Sequence, residues 1–241
     1  RKLWWVMTAI LVLLLAGTAF IFTVLPNVSP EEFEGFPGIT KPDAYLFGAS
    51  QAVGQTWFPL VFAAVLLAGE TSTSVWASSL TREARRWMHL FAKLVVITVA
   101  STLAMAVGIA AWSGVVAFFA EGSGTPGLME WAGVAGKTLV TQTTWVALGL
   151  GVVAVFRNMG PAIGAALGFS VIDGVLALWR PWTEVSLTIA GSRLIQDLTA
   201  QPAGPFGGGI DMGFGQALFV IAGWTMLGLL LGIVGLEVRD P

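Results

Sequence analysis

The feature that most restricts this chain is a series of apolar runs long enough to cross a bilayer. Tyr45–Gly69 and Leu94–Ala120 contain no Asp, Glu, Lys or Arg. A helix rises about 1.5 Å per residue, so roughly 20 mostly apolar residues traverse the hydrocarbon core. Backbone N–H and C=O groups in lipid must be paired within the segment, which makes such runs helical. Six segments qualify: about Leu3–Leu25, Tyr45–Ala68, Leu90–Phe119, Thr138–Phe156, Ala162–Trp179 and Gly213–Leu236. The expected fold is an all-α polytopic membrane protein, a single transmembrane domain over residues 1–241 with six transmembrane helices.

Composition bears on the alternatives. Only 11% of residues are charged, against about 25% in soluble domains. Thirty glycines beside 56% hydrophobic residues point to close helix packing in lipid rather than disorder. Net charge is −2 and no basic block is long, so a nucleic-acid partner is not expected. The absence of cysteine excludes disulfides and thiol catalysis and leaves the redox compartment open. One histidine, His89, argues against a polyhistidine metal or haem site. The first run exceeds a signal-peptide core and no A-x-A motif follows it, so it reads as a retained helix.

The links carry most of the polar character. Pro26–Asp43 is rich in Pro, Gly and acid, and Pro59 inside the second run predicts a kink or break. Leu90–Phe119 is longer than a bilayer needs and is expected to tilt or project. Glu121–Gly136 is a second polar link. Arg157–Pro161 is a tight turn, with Pro161 suited to the first turn of the next helix. Within Arg180–Asp211, apolar Val185, Leu187, Ile189, Leu194, Ile195 and Leu198 predict a short interfacial or re-entrant helix. The stretch QPAGPFGGG after it reads as flexible.

Basic residues set the orientation. With both termini cytoplasmic, the inside holds Arg1, Lys2, Arg82, Arg85, Arg86, Lys93, Arg157 and Arg239. The outside holds only Lys41, Lys137, Arg180 and Arg193. Trp4 and Trp5 stand where an aromatic belt is expected.

Candidate chemistry is sparse. Asp173, in FSVIDGVLAL, is the one acid within a run. Such groups mark transport paths, or form a structural hydrogen bond to a neighbouring helix or to the patch Thr141-Gln142-Thr143-Thr144. Trp112, Gln142, Trp145 and Asp173 are therefore possible pathway residues, with ordinary packing the simpler reading for the tryptophans. Gly133–Thr138, GVAGKT, lacks the first glycine of a phosphate-binding loop because Trp131 stands there. Gly160, Gly164 and Gly168, and Gly228 and Gly232, repeat at four-residue spacing. Such faces let backbones approach, within one subunit or at a seam between two. His89 reads as an interfacial polar residue.

Glu70–Lys93 reads ETSTSVWASSLTREARRWMHLFAK. By charge alone, Arg82, Arg85 and Arg86 are a cytoplasmic loop touching anionic lipid. The segment also resembles the signature region of ABC-2 type transporter permeases. In that family an acid closes the second span, then come a short helix, a leucine-threonine element, an arginine, and a lysine opening the third span. Here these are Glu70, Leu80-Thr81, Arg86 and Lys93. Thr73-Ser74 replaces the frequent glycine-threonine, and Arg82 replaces the usual proline.

The resemblance implies a non-catalytic permease subunit in the inner (plasma) membrane, paired with a second permease subunit. A separate ABC ATPase subunit would bind ATP and Mg²⁺, so this chain would carry no cofactor. A coupling helix near Ser72–Leu80, including Ser74, would seat Trp76 in the ATPase, and Arg82, Arg85 and Arg86 would pair with its acids or with lipid. Export of an apolar or amphipathic substrate follows as an expectation. A proton-coupled secondary transporter using Asp173, a membrane enzyme, and an anchor subunit of a larger complex are the alternatives.

Overall fold

A computed structural model describes residues 2–28, 41–71, 86–120, 123–156, 158–196 and 212–237. The described residues form helices α1 (Lys2–Val28), α2 (Lys41–Val53), α3 (Trp57–Thr71), α4 (Arg86–Phe119) and α5 (Leu128–Phe156). They continue as α6 (Met159–Leu176), α7 (Arg180–Thr183), α8 (Leu187–Gln196) and α9 (Phe214–Glu237). No strand occurs among them. Five stretches are long and apolar enough to cross a membrane: Trp4–Thr23, Pro42–Leu67, Trp87–Phe119, Leu128–Phe156 and Phe214–Leu236. The chain is a multi-pass, all-α membrane protein. The sixth expected span is represented by a shorter apolar helix, Gly160–Leu176.

Two helices extend beyond the apolar runs. At 34 residues, α4 is about 50 Å long, well over the hydrocarbon thickness of about 30 Å. The polar link expected over Glu121–Gly136 is helical from Leu128 onward. Glu130 accounts for the early start. Its Oε2 accepts the backbone N–H of Gly127 at 2.6 Å, a capping arrangement that satisfies a donor at the helix entrance. Before it, Gly124 adopts φ 116°, a conformation open to glycine, with Pro42 against it.

The second apolar run is interrupted at Gly54-Gln55-Thr56, between α2 and α3. Pro59 lies just past this break, in the first turn of α3, where its missing N–H costs no helical bond. The interruption keeps its backbone paired. Gly54 N–H donates to Ser50 O at 2.9 Å, Gln55 N–H to Ala52 O at 3.1 Å and Thr56 N–H to Gly54 O at 2.8 Å. Such internal pairing is what an irregular turn needs at membrane depth.

Helix α5 is the axis of the bundle, with α9 along one side and α3 along another. Glycine makes both approaches close. A Cβ on Gly228 would stand 2.6 Å from the Ala147 carbonyl carbon, and one on Gly149 would stand 2.7 Å from the Leu60 oxygen. Gly235 meets Ala154 in the same way, so α9 and α5 run in one direction. Leu90 at the start of α4 packs on Gly232 near the end of α9. Leu15 meets Gly108, and Phe20 meets Phe119, so α1 runs alongside α4 in the same direction. The starts of α1 and α4 and the ends of α5 and α9 therefore share one end of the bundle. The α4–α5 link and α7–α8 lie at the other.

Candidate functional site: a helix break beside a buried amide

Ala49 and Val53 of α2 cluster with Val134 of α5, and Leu60 of α3 packs on Gly149. Between these contacts lie the break Gly54–Thr56 on one chain segment and Gln142 on the other. Gln142 is on the same face of α5 as Gly149, seven residues earlier, and stands midway along that helix. It is fully buried, and neither Nε2 nor Oε1 has a hydrogen-bond partner. A carboxamide can donate twice and accept twice. Leaving it unpaired in an apolar interior costs several times the net worth of an ordinary hydrogen bond.

The polar side chains of the break and the threonines beside Gln142 on α5 are satisfied. The Thr56 and Ser170 hydroxyls lie 3.2 Å apart, joining the break to α6. Trp57 Nε1–H donates to Gln55 Oε1 at 2.7 Å. Thr141 and Thr144 hydroxyls donate back to the carbonyls of Lys137 and Val140, and Thr144 also meets Thr225 at 2.9 Å. Serine and threonine in a helix can spend their hydroxyls on the preceding turn. Glutamine cannot do so as readily, and the Gln142 amide is left free.

Asp173 is different. It too is fully buried, but both carboxylate oxygens are occupied. Oδ1 accepts Trp182 Nε1–H at 2.9 Å. Oδ2 accepts the Thr188 backbone N–H at 2.7 Å and the Ser186 hydroxyl at 3.3 Å. Ser186 Oγ in turn accepts the Ile189 N–H at 3.3 Å. Serine therefore caps α8, and the carboxylate sits at the positive end of that helix. The partners lie in the link after α6 and not in the Thr141–Thr144 patch.

The same link is fastened to α9. Trp224 Nε1–H donates to Val185 O at 2.8 Å, and Arg193 Nε–H donates to Met212 O at 3.0 Å. Leu187, Ile189, Ala190, Leu194 and Ile195 are buried, so α8 packs into the bundle and does more than lie on an interface. The stretch QPAGPFGGG is outside the described residues, as is Leu198.

The other sequence candidates separate. Trp112 is core. Its Nε1–H donates to Ala44 O at 2.9 Å, and its ring fills the space a Cβ on Gly48 would need. Trp145, also buried, lies against Phe169, which meets Trp224. Gly228 and Gly232 close helix contacts within the chain, whereas a Cβ on Gly160, Gly164 or Gly168 would meet nothing within 4 Å. GVAGKT lies within continuous α5, where no loop exists to wrap a phosphate. His89 Nε2 is buried without a partner. Glu70 falls in α3 and Arg86 begins α4, with Lys93 two turns on. Ser74, Trp76, Leu80, Arg82 and Arg85 lie outside the described residues.

No cluster of three or more His, Cys, Asp or Glu occurs among the described residues. What the layer at Gln142 offers is neutral hydrogen bonding beside an interrupted helix. The sequence singled out Gln142 only as part of a polar patch, and what distinguishes it is the lack of a partner. The break itself carried a weaker signal, the GQT triplet between two apolar stretches. Comparison with protein-family models and with curated proteins gives no match.

Proposed function

We propose that the chain is the permease subunit of an ATP-driven transporter of the ABC-2 kind, lying in the plasma membrane and moved by a separate ATPase through Glu70–Lys93. The observation that carries this reading is the grouping of helix ends. The segment joining α3 to α4 departs from the end of the bundle at which α1 begins and α5 and α9 finish. In the sequence, the basic residues Lys2, Arg82, Arg85, Arg86, Arg157 and Arg239 all lie within or beside the segments that adjoin these helix ends. That end of the bundle is the cytoplasmic one by the distribution of basic residues. Force applied there reaches α3 and α4 directly, and α3 begins at the helix break.

Discontinuous helices near the bilayer midplane are a recurring way of building a substrate site. Gln142, at that level, is the pathway residue in this reading, and its free amide suits an uncharged polar group on an otherwise apolar substrate. Asp173 holds the outer link in place. The open face of Gly160, Gly164 and Gly168 is the seam for a second permease subunit. An ATPase can drive this only if the two conformations of the chain differ in their contacts with it.

The test is co-purification from gently solubilised membranes. A nucleotide-binding subunit should accompany the wild-type chain. Trp76→Ala removes an apolar anchor and Arg86→Glu reverses a charge, and each should reduce both association and coupled ATP hydrolysis. Intact association and hydrolysis in both variants would refute the coupling role.

A further inference from the structure

A second feature lies away from Gln142. Helices α4 and α5 leave between them a cavity of about 380 Å³, within the size range of small-molecule sites. Alanines make the space: Ala106 and Ala110 on α4 face Ala135 on α5, and all three are exposed. Val134 and Thr138 form a buried floor. Trp131 closes the end nearest the link. The cavity opens outward, flanked by exposed Leu103 and Val107.

We infer that this groove holds one acyl chain of a bilayer phospholipid, drawn from the leaflet nearest the α4–α5 link. Three observations favour that occupant. Both walls belong to helices long and apolar enough to span a membrane, so the medium at the opening is hydrocarbon. The lining is poor for water: the Thr138 hydroxyl is spent on Val134 O at 2.7 Å, and Thr102 and Ser113 stand at opposite ends of the α4 wall, too far apart to give one water the two to four polar partners it needs. The α4 wall runs from Thr102 to Ser113, about 16 Å of helix, roughly half the hydrocarbon thickness of about 30 Å and so the depth of one leaflet.

The polar ends fit the same orientation. Ser113, at the link end, has a buried hydroxyl without a partner, and the ester carbonyl at the head of an acyl chain can accept from it. Thr102, at the deep end, also has an unpartnered hydroxyl, which a methylene chain leaves as it is. The inference depends on the membrane-spanning character of α4 and α5 and is independent of the ATPase reading.

Native mass spectrometry of the full chain, extracted in mild detergent, provides the test. The wild type should retain one phospholipid. Ala110→Phe and Ala135→Phe fill the groove from opposite walls and should each lower that retention at least about tenfold, equivalent to about 1.4 kcal/mol of binding. Leu230→Ala, exposed on α9 and away from the groove, should leave it unchanged. Bilayers of phosphatidylcholine brominated along one chain give a second reading that needs no groove-filling variant. The emission lost between wild type and Trp131→Phe should be quenched by the bromines. Equal retention in both filled variants, a retained species lacking phosphate, or an unquenched Trp131 would each overturn the assignment.

Discussion

Asp173 and Gln142 are both fully buried polar residues on apolar helices, yet their surroundings are opposite. Asp173 has two oxygens and receives three donors. Gln142 has two polar atoms and receives none. The carboxylate, the more costly group to bury, is the one that has been made part of the architecture. Its donors come from the link after α6, so burial and function as a fastener go together. The amide has been placed beside a helix break and given nothing to bond. The contrast teaches that charge is a poor guide to where a membrane protein does its work. The state of the partners decides.

The sharpest way to break the comparison is at the fastener. Asp173→Ala strands the Trp182 indole N–H, the Ser186 hydroxyl and the Thr188 N–H. Buried unpaired donors cost about 1–3 kcal/mol each, so a loss of about 3 kcal/mol is expected even if some find water. Thermal unfolding in detergent should shift down by roughly 5–10 °C. Asp173→Asn keeps acceptor capacity and should lose less. A variant of unchanged melting temperature that no longer transports would make Asp173 a transport group and erase the distinction drawn here.

A smaller effect comes from the two glycine series, which repeat the same contrast between closed and open surfaces. Gly228→Ala places a methyl against the backbone of Ala147. Neither helix can yield without separating, and overpacking of this kind costs about 1–3 kcal/mol. Gly164→Ala meets nothing within the chain, so a loss there reads the proposed subunit seam: the variant should shift toward the single chain on a sizing column. Paired melting curves and sizing check both positions. If Gly164→Ala instead keeps its size and gains about 0.5–1 kcal/mol through helix propensity, no second copy covers that face and the seam is refuted.

The helical class and the membrane-crossing character were legible in the sequence because hydrophobic length is a one-dimensional property. Leu3–Leu25 and Gly213–Leu236 nearly coincide with α1 and α9. The start of α5 was not legible, since Glu130 reads as a loop residue until its bond to Gly127 N–H is seen. The break in the second run was expected from Pro59 and lies a few residues before it, because proline is tolerated in a first turn and Gly54 supplies the turn instead. Gly228 and Gly164 are indistinguishable by spacing, and only the neighbours at 2.6 Å or beyond 4 Å separate them. For the candidate site, the polar patch around Gln142 was visible as composition. That its threonines would bond their own helix while the glutamine stayed free depends on side-chain reach and on what packs opposite, neither of which a single sequence records.

The smallest expected change sharpens the comparison most, because its sign is unusual. Gln142→Met keeps the length and flexibility of the side chain while removing its donors and acceptors. Most core substitutions destabilise. Here the amide contributes a desolvation cost with no hydrogen bond to offset it, so its removal should raise stability by about 1 kcal/mol, a rise of roughly 2–4 °C in melting temperature. Transport should fall at the same time, since the group that engages an uncharged polar substrate is gone. Stability and activity would then move in opposite directions, as they do where a binding site holds groups that the resting fold does not use. A fall in melting temperature would mean that the amide already has a bound partner such as ordered water, and Gln142 would join Asp173 as architecture. A rise with transport unaffected would remove Gln142 from the pathway and move attention to the hydroxyl pair of Thr56 and Ser170, which joins the break to α6.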